Sequence, residues 1–166
     1  YGDGKVTDGS GSSIPGNFGT CDIGSTNNST SDMRDQILDG LRQQDLDALH
    51  SDGRIPQSTH INSSEDFMAN GDPGLSAGMK SAITAVHGQK RLIPIVGSVS
   101  GNGANVEYNV VGWAVCKLVD SSWNGSKNTK VNIMKTRTFD GQLKPNPDLS
   151  ATTGYIEGAF TAPALV

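Results

Sequence analysis

Residues 105–119, NVEYNVVGWAVCKLV, are a long apolar run that decides the fold. Successive residues of an extended chain point to opposite faces of a sheet. The run is apolar on both: one face carries Tyr108, Val110, Ala114, Cys116 and Leu118, and the other Val111, Trp113 and Val115. A strand that is apolar on both sides is covered on both sides. The sequence therefore predicts a central strand over residues 105–120.

Apolar spacing and turn residues place the other elements around this strand. A cap at Thr30 or Ser31 and apolar residues at helical spacing predict a helix to about residue 41. Asp72 and Pro73 predict the start of a second helix, which ends at Gly88. Residues 45–50 have the pattern of a further helical turn. Residues 91–100, 130–138 and 154–160 are predicted strands, and residues 51–70 are predicted to be an irregular surface crossover.

These elements predict an α+β fold, arranged like an α/β sandwich, in which one mostly antiparallel sheet carries two packed helices. Residues 1–13 are rich in Gly, Ser and Asp and are predicted to be a flexible or extended arm. Residues 14–166 have the length of a single domain with one core. The predicted core residues are Phe18, Ile37, Leu41, Ile83, Ile93, Ile95, Val110, Trp113, Ala114 and Leu118.

Composition and charge limit the classes of partner. The net charge is −4 with only 13 Lys and Arg, and no run of basic residues, so we expect no nucleic acid partner. No stretch reaches the 18 apolar residues of a membrane span, so we expect no membrane insertion by this chain itself. Gly, Ser, Thr and Asn make up more than a third of the residues, a composition common in exported bacterial proteins.

The sequence carries no recognisable catalytic, cofactor or metal motif. His50, His60 and His87 do not pair at the helical spacing that zinc ligands use. Neither a G-x-S-x-G turn nor a phosphate-binding glycine loop is present, so we expect a protein that is not an enzyme and binds no cofactor or metal. A secreted hydrolase whose two carboxylates lie far apart in sequence is an alternative.

The two cysteines, Cys21 and Cys116, both fall in segments that are predicted to be buried strands. If these strands are neighbours, a Cys21–Cys116 disulfide would close a long loop and stabilise the fold by about 4 kcal/mol. The alternative is a pair of buried free thiols that act as small apolar side chains.

Three segments in order carry a resemblance to a known family: IPGNFGTCDIG at residues 14–24, GDPGLSAGM at 71–79 leading into HGQKRLIPI at 87–95, and the central strand with its VVGWA. Together they resemble the extracytoplasmic domain of TadE/TadG-like proteins, which belong to bacterial Flp pilus assembly and tight adherence. In that family the two cysteine positions are usually apolar. The resemblance spans roughly residues 14–137 and rests on the order and spacing of the segments.

The resemblance implies a non-catalytic component of the pilus apparatus, located in the periplasm or at the cell surface. Its partners would be other envelope or pilus proteins, including copies of itself. Family members normally have an N-terminal membrane helix, so the resemblance also implies a mature fragment or an excised domain. The alternative is a structural subunit that assembles into filaments or a coat through the 1–13 arm or a sheet edge.

Overall fold

The computed structural model describes residues 6–7, 13–14, 19–24, 29–73, 76–101, 105–123 and 129–145. In chain order the elements are β1 (Val6–Thr7), β2 (Ser13–Ile14), β3 (Gly19–Asp22), α1 (Thr30–Asp39), α2 (Gln43–Ser51), β4 (Ile61–Asn62), β5 (Phe67–Pro73), a 3-10 turn (Ala77–Met79), α3 (Lys80–Ala85), β6 (Lys90–Ser100), β7 (Val106–Trp123), β8 (Thr129–Phe139) and β9 (Gln142–Leu143). All strand pairs in these ranges are antiparallel, and the predicted α+β class is confirmed.

Within the described residues, the main sheet has five strands built around β7. Its order is β3-β5-β7-β6, and β8 also pairs with β7. Residues 106–110 of β7 lie between β5 and β6, and residues 113–117 lie between β8 and β6, so β5 and β8 follow one another along the same edge of β7. Residues 120–123 of β7 pair with β8 and extend beyond β6. The central strand is therefore the predicted one, extended to Trp123.

A β-bulge in the middle of β7 changes which residues share a face. Gly112 pairs with Ile95 and Val110 with Val96, so Val111 is an extra residue without a partner on β6. One extra residue reverses the alternation of side chains beyond it. Tyr108 and Val110 consequently lie on the same side as Trp113, and the prediction that they share a face with Ala114, Cys116 and Leu118 is wrong.

Each face of the sheet has its own core. The first core contains Leu46 and Leu49 of α2 with Tyr108 and Trp113 of β7, and the paired β4 and β9 contribute Ile61 and Leu143. The second core lies on the opposite face, where α1 and α3 pack on β6 and β7; its members include Met33, Ile37, Met79, Ile83, Ile93, Ala114, Cys116 and Leu118. The chain thus places helices on both faces of the sheet. The described ranges contain three α-helices: the two predicted ones and α2, where a further helical turn was predicted over residues 45–50.

Two segments between residues 51 and 80 differ from the prediction. Residues 67–73 form β5, which lies between β3 and β7, so neither the irregular crossover nor a helix start at Asp72 is correct. The helix begins with the 3-10 turn at Ala77. Gly71 in β5 lies under the ring of Tyr108, where a Cβ atom would be 2.6 Å from Cε2. The predicted strand at 154–160 and the core residue Phe18 lie outside the described residues.

Candidate interaction surface

The structure buries most of the residues predicted to form the core. Ile37, Leu41, Ile83, Ile93, Val110, Trp113, Ala114 and Leu118 are all buried. Ile95 is half-buried and packs against the second core. Trp113 is fully buried and stacks on Phe67, with 6.4 Å between the ring centroids, so this part of β7 is an internal strand.

Cys21 and Cys116 are free, buried thiols, which is the second of the two alternatives that the sequence left open. Cys21 belongs to the first core and Cys116 to the second, so the sheet lies between them. A disulfide requires Cα atoms about 4.4 to 6.8 Å apart, with the two side chains directed toward each other. Burial raises the pKa of both thiols, which keeps them protonated.

Beyond the first core, the β6–β7–β8 part of the sheet has a face that carries mostly exposed polar and charged side chains. Val115 faces the first core, and the next residue on the same side of β7 is Lys117. Register places Lys90 and Met134 on either side of Lys117 and Arg137 beside Val115. We call this surface the open face; its residues are Lys90, Lys117, Asp120, Lys130, Asn132, Met134 and Arg137. All are exposed except the half-buried Lys117.

The open face is strongly cationic in a protein of net charge −4. Lys90 and Lys117 are directly opposite each other on neighbouring strands, an arrangement that is destabilising for like charges. The only carboxylate of the face, Asp120, accepts a hydrogen bond from Asn132 Nδ2 at 2.5 Å. Within the described part of the chain, none of the four cations has a carboxylate within ion-pair distance. The surface is therefore suited to an anionic partner.

The other side of β8 has a different character. Val131 and Ile133 alternate with the residues of the open face and are half-buried against the second core. Among the strands that the structure describes, β8 pairs only with β7, so its outer edge has no strand beside it. Met134 and Val119, at this end of the sheet, are 52% and 49% exposed, two of the three large apolar side chains exposed in the described ranges.

A second candidate is a groove on the outer surface between α1 and α3. It has a volume of about 760 Å³ and opens widely to solvent; its lining is Arg34, Ala77, Gly78, Lys80, Ser81, Thr84 and Ala85. Gly78 allows the close approach of the two segments, since a Cβ atom there would be 2.7 Å from Thr30 Cγ2. The walls do not enclose a small molecule as typical ligand pockets do.

A buried polar network joins β3, α1 and α2. Asp22 is fully buried, and Gln36 Nε2 donates to its Oδ1 at 3.2 Å and to the Ile23 carbonyl at 2.9 Å. Burial, and next the negative charge of Asp32, raise the pKa of Asp22 to about 6. Arg42 forms ion pairs with Asp32, Asp35 and Asp45 and connects the two helices. All of these contacts join elements of the fold to one another. We therefore assign the network a structural role.

His87 and Ser121 form a contact that resembles a nucleophile and its base. His87 Nε2 is 3.0 Å from Ser121 Oγ, which also accepts a hydrogen bond from Trp123 Nε1 at 2.9 Å. A serine nucleophile also needs donors for the oxyanion and a group that orients the histidine. No carboxylate within the described residues bonds to His87, so we assign this contact to holding the end of α3 against β7. The same residues contain no cluster of three metal-ligating side chains.

Comparison with protein-family models, with curated proteins and with solved structures finds no match to this chain. In the described ranges, none of the helices is long and apolar enough to span a membrane.

Sequence reasoning found the core and missed the open face. Lys90, Lys117 and Arg137 are spread over 48 residues, so no local run of charge marks them. Only the pairing of three strands brings them together. One signal existed in the second half of the central strand, where Lys117 interrupts the apolar residues; Asp120 joins it on the same side only because Val119 is an extra residue in the strand.

Proposed function

We propose that the protein is a non-catalytic extracytoplasmic component of an assembly apparatus in the bacterial envelope, similar to the TadE/TadG-like proteins of Flp pilus assembly and tight adherence. In this proposal the chain acts by docking other components, and the open face is its docking surface. The uncovered cationic sheet face, with cations that lack carboxylate partners in the described residues, is the observation that carries the proposal.

The positions of the resembling segments in the fold support the family part of the proposal. The Arg91–Ile95 segment and the VVGWA segment are neighbours in the sheet, with Ile93 opposite Ala114 and Pro94 opposite Trp113. The end of the first segment forms β3, which pairs with β5 at the start of the second. The order and spacing that carry the resemblance therefore correspond to contacts within one sheet.

Deletion of the gene in the source organism tests this function. We expect loss of surface Flp pili and of tight adherence, both restored by the wild-type gene. A gene carrying Lys117→Glu and Arg137→Glu should restore neither, because these changes reverse charges on the open face. The matched variant Lys80→Glu changes an exposed lysine of α3, in the groove on the opposite side of the sheet, and should complement fully; failure to complement would assign docking to that groove instead. Normal pili and adherence in the deletion strain would refute the proposed function.

The alternative of a self-assembling subunit receives less support from the charges of the exposed edge. Pairing of β8 with β8 of a second copy would bring Lys130, Lys135 and Arg137 against the same three side chains. Like charges on paired edges oppose association. Copies would have to meet through another surface.

A further inference from the structure

We infer that the open face and the outer edge of β8 together bind one extended segment of a partner protein, in which acidic and apolar residues alternate. This inference rests on the proposed function, because it names the chemistry of the partner at the same docking surface. It follows from three properties of β8 in the described ranges: an edge with no strand beside it, Lys130 and Arg137 on one side, and the half-buried Val131 and Ile133 on the other, which also carries the exposed Lys135.

The edge supplies the main-chain contacts. A strand with only one neighbour has peptide groups on its outer side that can pair with an added strand. In the described ranges β8 pairs with β7 alone, and its register is regular from Ile133 to Thr129 apart from the extra residue Val119 on β7. An added segment would pair with the five residues of this part of β8.

The open face selects acidic side chains on one side of the added segment. Lys130 and Arg137 are exposed on β8 itself, and the half-buried Lys117 lies behind Met134. Carboxylates placed at every second residue would lie near these cations, because strand side chains repeat on one face with a period of two. They would also offset the repulsion between Lys90 and Lys117.

The opposite side selects apolar side chains. Val131 and Ile133 are half-buried at the margin of the second core. Apolar residues of an added strand would continue the second core over them and remove more apolar surface from water. A flat anionic surface such as a lipid bilayer could contact the cations but not these two residues at the same time. A second copy of β8 would bring cations against cations.

The probe for this site is a synthetic nine-residue peptide in which glutamate and valine alternate, with both ends blocked. Isothermal titration calorimetry at low salt should show binding that weakens as salt is added. A peptide of the same composition with glutamates and valines in separate blocks should bind at least about ten-fold more weakly, because it cannot present the two residue types to opposite sides of β8.

Three variants of the protein locate the site. Lys130→Glu and Lys117→Glu should each weaken binding of the alternating peptide by about five-fold, the upper range for one cross-strand charge pair. Both should bind a peptide with lysine in place of glutamate better than the wild type does. The matched control Lys80→Glu makes the same charge change on α3 and should leave both affinities unchanged.

Amide hydrogen exchange separates strand addition from simple adsorption. On binding, exchange should slow at the β8 amides that point away from β7. Equal affinity for the alternating and block peptides, binding without this protection, or no binding would each overturn the inference. Binding to phosphatidylglycerol vesicles with no binding of the peptide would assign the open face to lipid instead. Loss of pili in the deletion strain with no peptide binding would reject only this inference, and peptide binding with normal pili would reject only the proposed function.

Discussion

Asp22 should make the protein more stable in mild acid than at neutral pH. Its pKa is raised from 3.8 to about 6 by burial, so between these values the folded chain binds more protons than the unfolded chain. Stability then falls as pH rises from about 4 to 6 and is flat above that. The Asp22 contribution is about 3 kcal/mol over the whole of this range, and about half of that lies between pH 5 and pH 7.5. Chemical denaturation at pH 5 and pH 7.5 measures it.

Asp22→Asn should reduce this pH dependence and raise the stability at pH 7.5, because the amide needs no proton to be neutral. Asp45 and Asp72, whose pKa values burial also raises, contribute with the same sign, so a smaller slope should remain. The exposed Asp52→Asn provides the control and should keep the full slope. A protein that is equally stable at both pH values would contradict the assignment of a strained buried carboxylate.

The two thiols should be inert in the folded protein and free after unfolding. Cys21 is 2% and Cys116 0% exposed, and burial holds both pKa values above the ordinary value for a thiol. Iodoacetamide should therefore modify neither native thiol, and both after denaturation. A non-reduced digest should yield two separate free-thiol peptides. A single disulfide-linked peptide would show that the strands can rearrange enough to bring the thiols together.

At the level of the residue, the sequence predicted burial well and neighbours poorly. Cys21 and Cys116 were correctly placed in buried strands. The apolar neighbours of Cys116 indicate its strand, whereas Cys21 lies in GTCD, where Gly and Asp do not favour a strand. Whether two buried strands present their side chains to the same core depends on the register of every strand between them. That information is not local, so a disulfide was as consistent with the sequence as two free thiols.

At the level of the element, one extra residue in β7 accounts for the difference between the predicted and the observed faces of the strand. Its apolar residues on both sides predicted a central strand, and β7 does lie between β6 on one side and β5 and β8 on the other. Strict alternation failed at Val111, because a bulge leaves no mark in hydrophobicity when the extra residue is itself apolar. Gly97 in β6 gives a hint: a Cβ atom there would be 2.7 Å from Val111 Cγ1.

Removing Val111 should be far more harmful than shortening its side chain. Deletion restores strict alternation, so Val106, Tyr108 and Val110 could no longer share the first core with Trp113. Exposing three such residues costs about 5 kcal/mol or more, comparable to the whole stability of a small domain. Val111→Ala should cost less than about 0.5 kcal/mol, because the side chain is already 36% exposed.

Circular dichroism and urea denaturation of the two variants check this prediction. The deletion variant should lack a cooperative transition, whereas Val111→Ala should unfold at nearly the wild-type midpoint. A deletion variant that folds with wild-type stability would mean that the bulge can move along β7 without changing which residues face the first core.

β5 was missed for a related reason. Its sequence, FMANGDP, contains Asn, Gly, Asp and Pro, which favour turns and helix starts over strands. The segment is nevertheless held between β3 and β7, and the ring of Tyr108 covers Gly71. Pairing with a strand on each side has overridden the preference of these residues for turns. No feature within the segment itself predicts a strand.

On the scale of the whole molecule, the sequence predicted the α+β class. It did not predict which parts of the sheet are covered by helices and which are left exposed. The apolar central strand predicted cover on both faces but not which helix lies on which face: α2 lies on the first-core face, and α1 and α3 lie on the other. The open face exists because β7 and β8 extend beyond the residues that pack on the first-core face of the sheet. Its extent depends on strand length and loop path, which hydrophobic patterns specify only to within a few residues.

Removing residues 1–13 should leave the oligomeric state and the thermal midpoint unchanged. In the described part of this arm, Val6 pairs with Ile14 and Thr7 with Ser13, and these strands do not belong to the five-stranded sheet. A segment so rich in Gly and Ser offers little apolar surface to offset the entropy of ordering. Light scattering of the full and shortened chains decides between a linker and an assembly element. If the full chain forms filaments or defined oligomers that the shortened chain cannot, the arm mediates assembly and the self-assembling subunit displaces the proposed function.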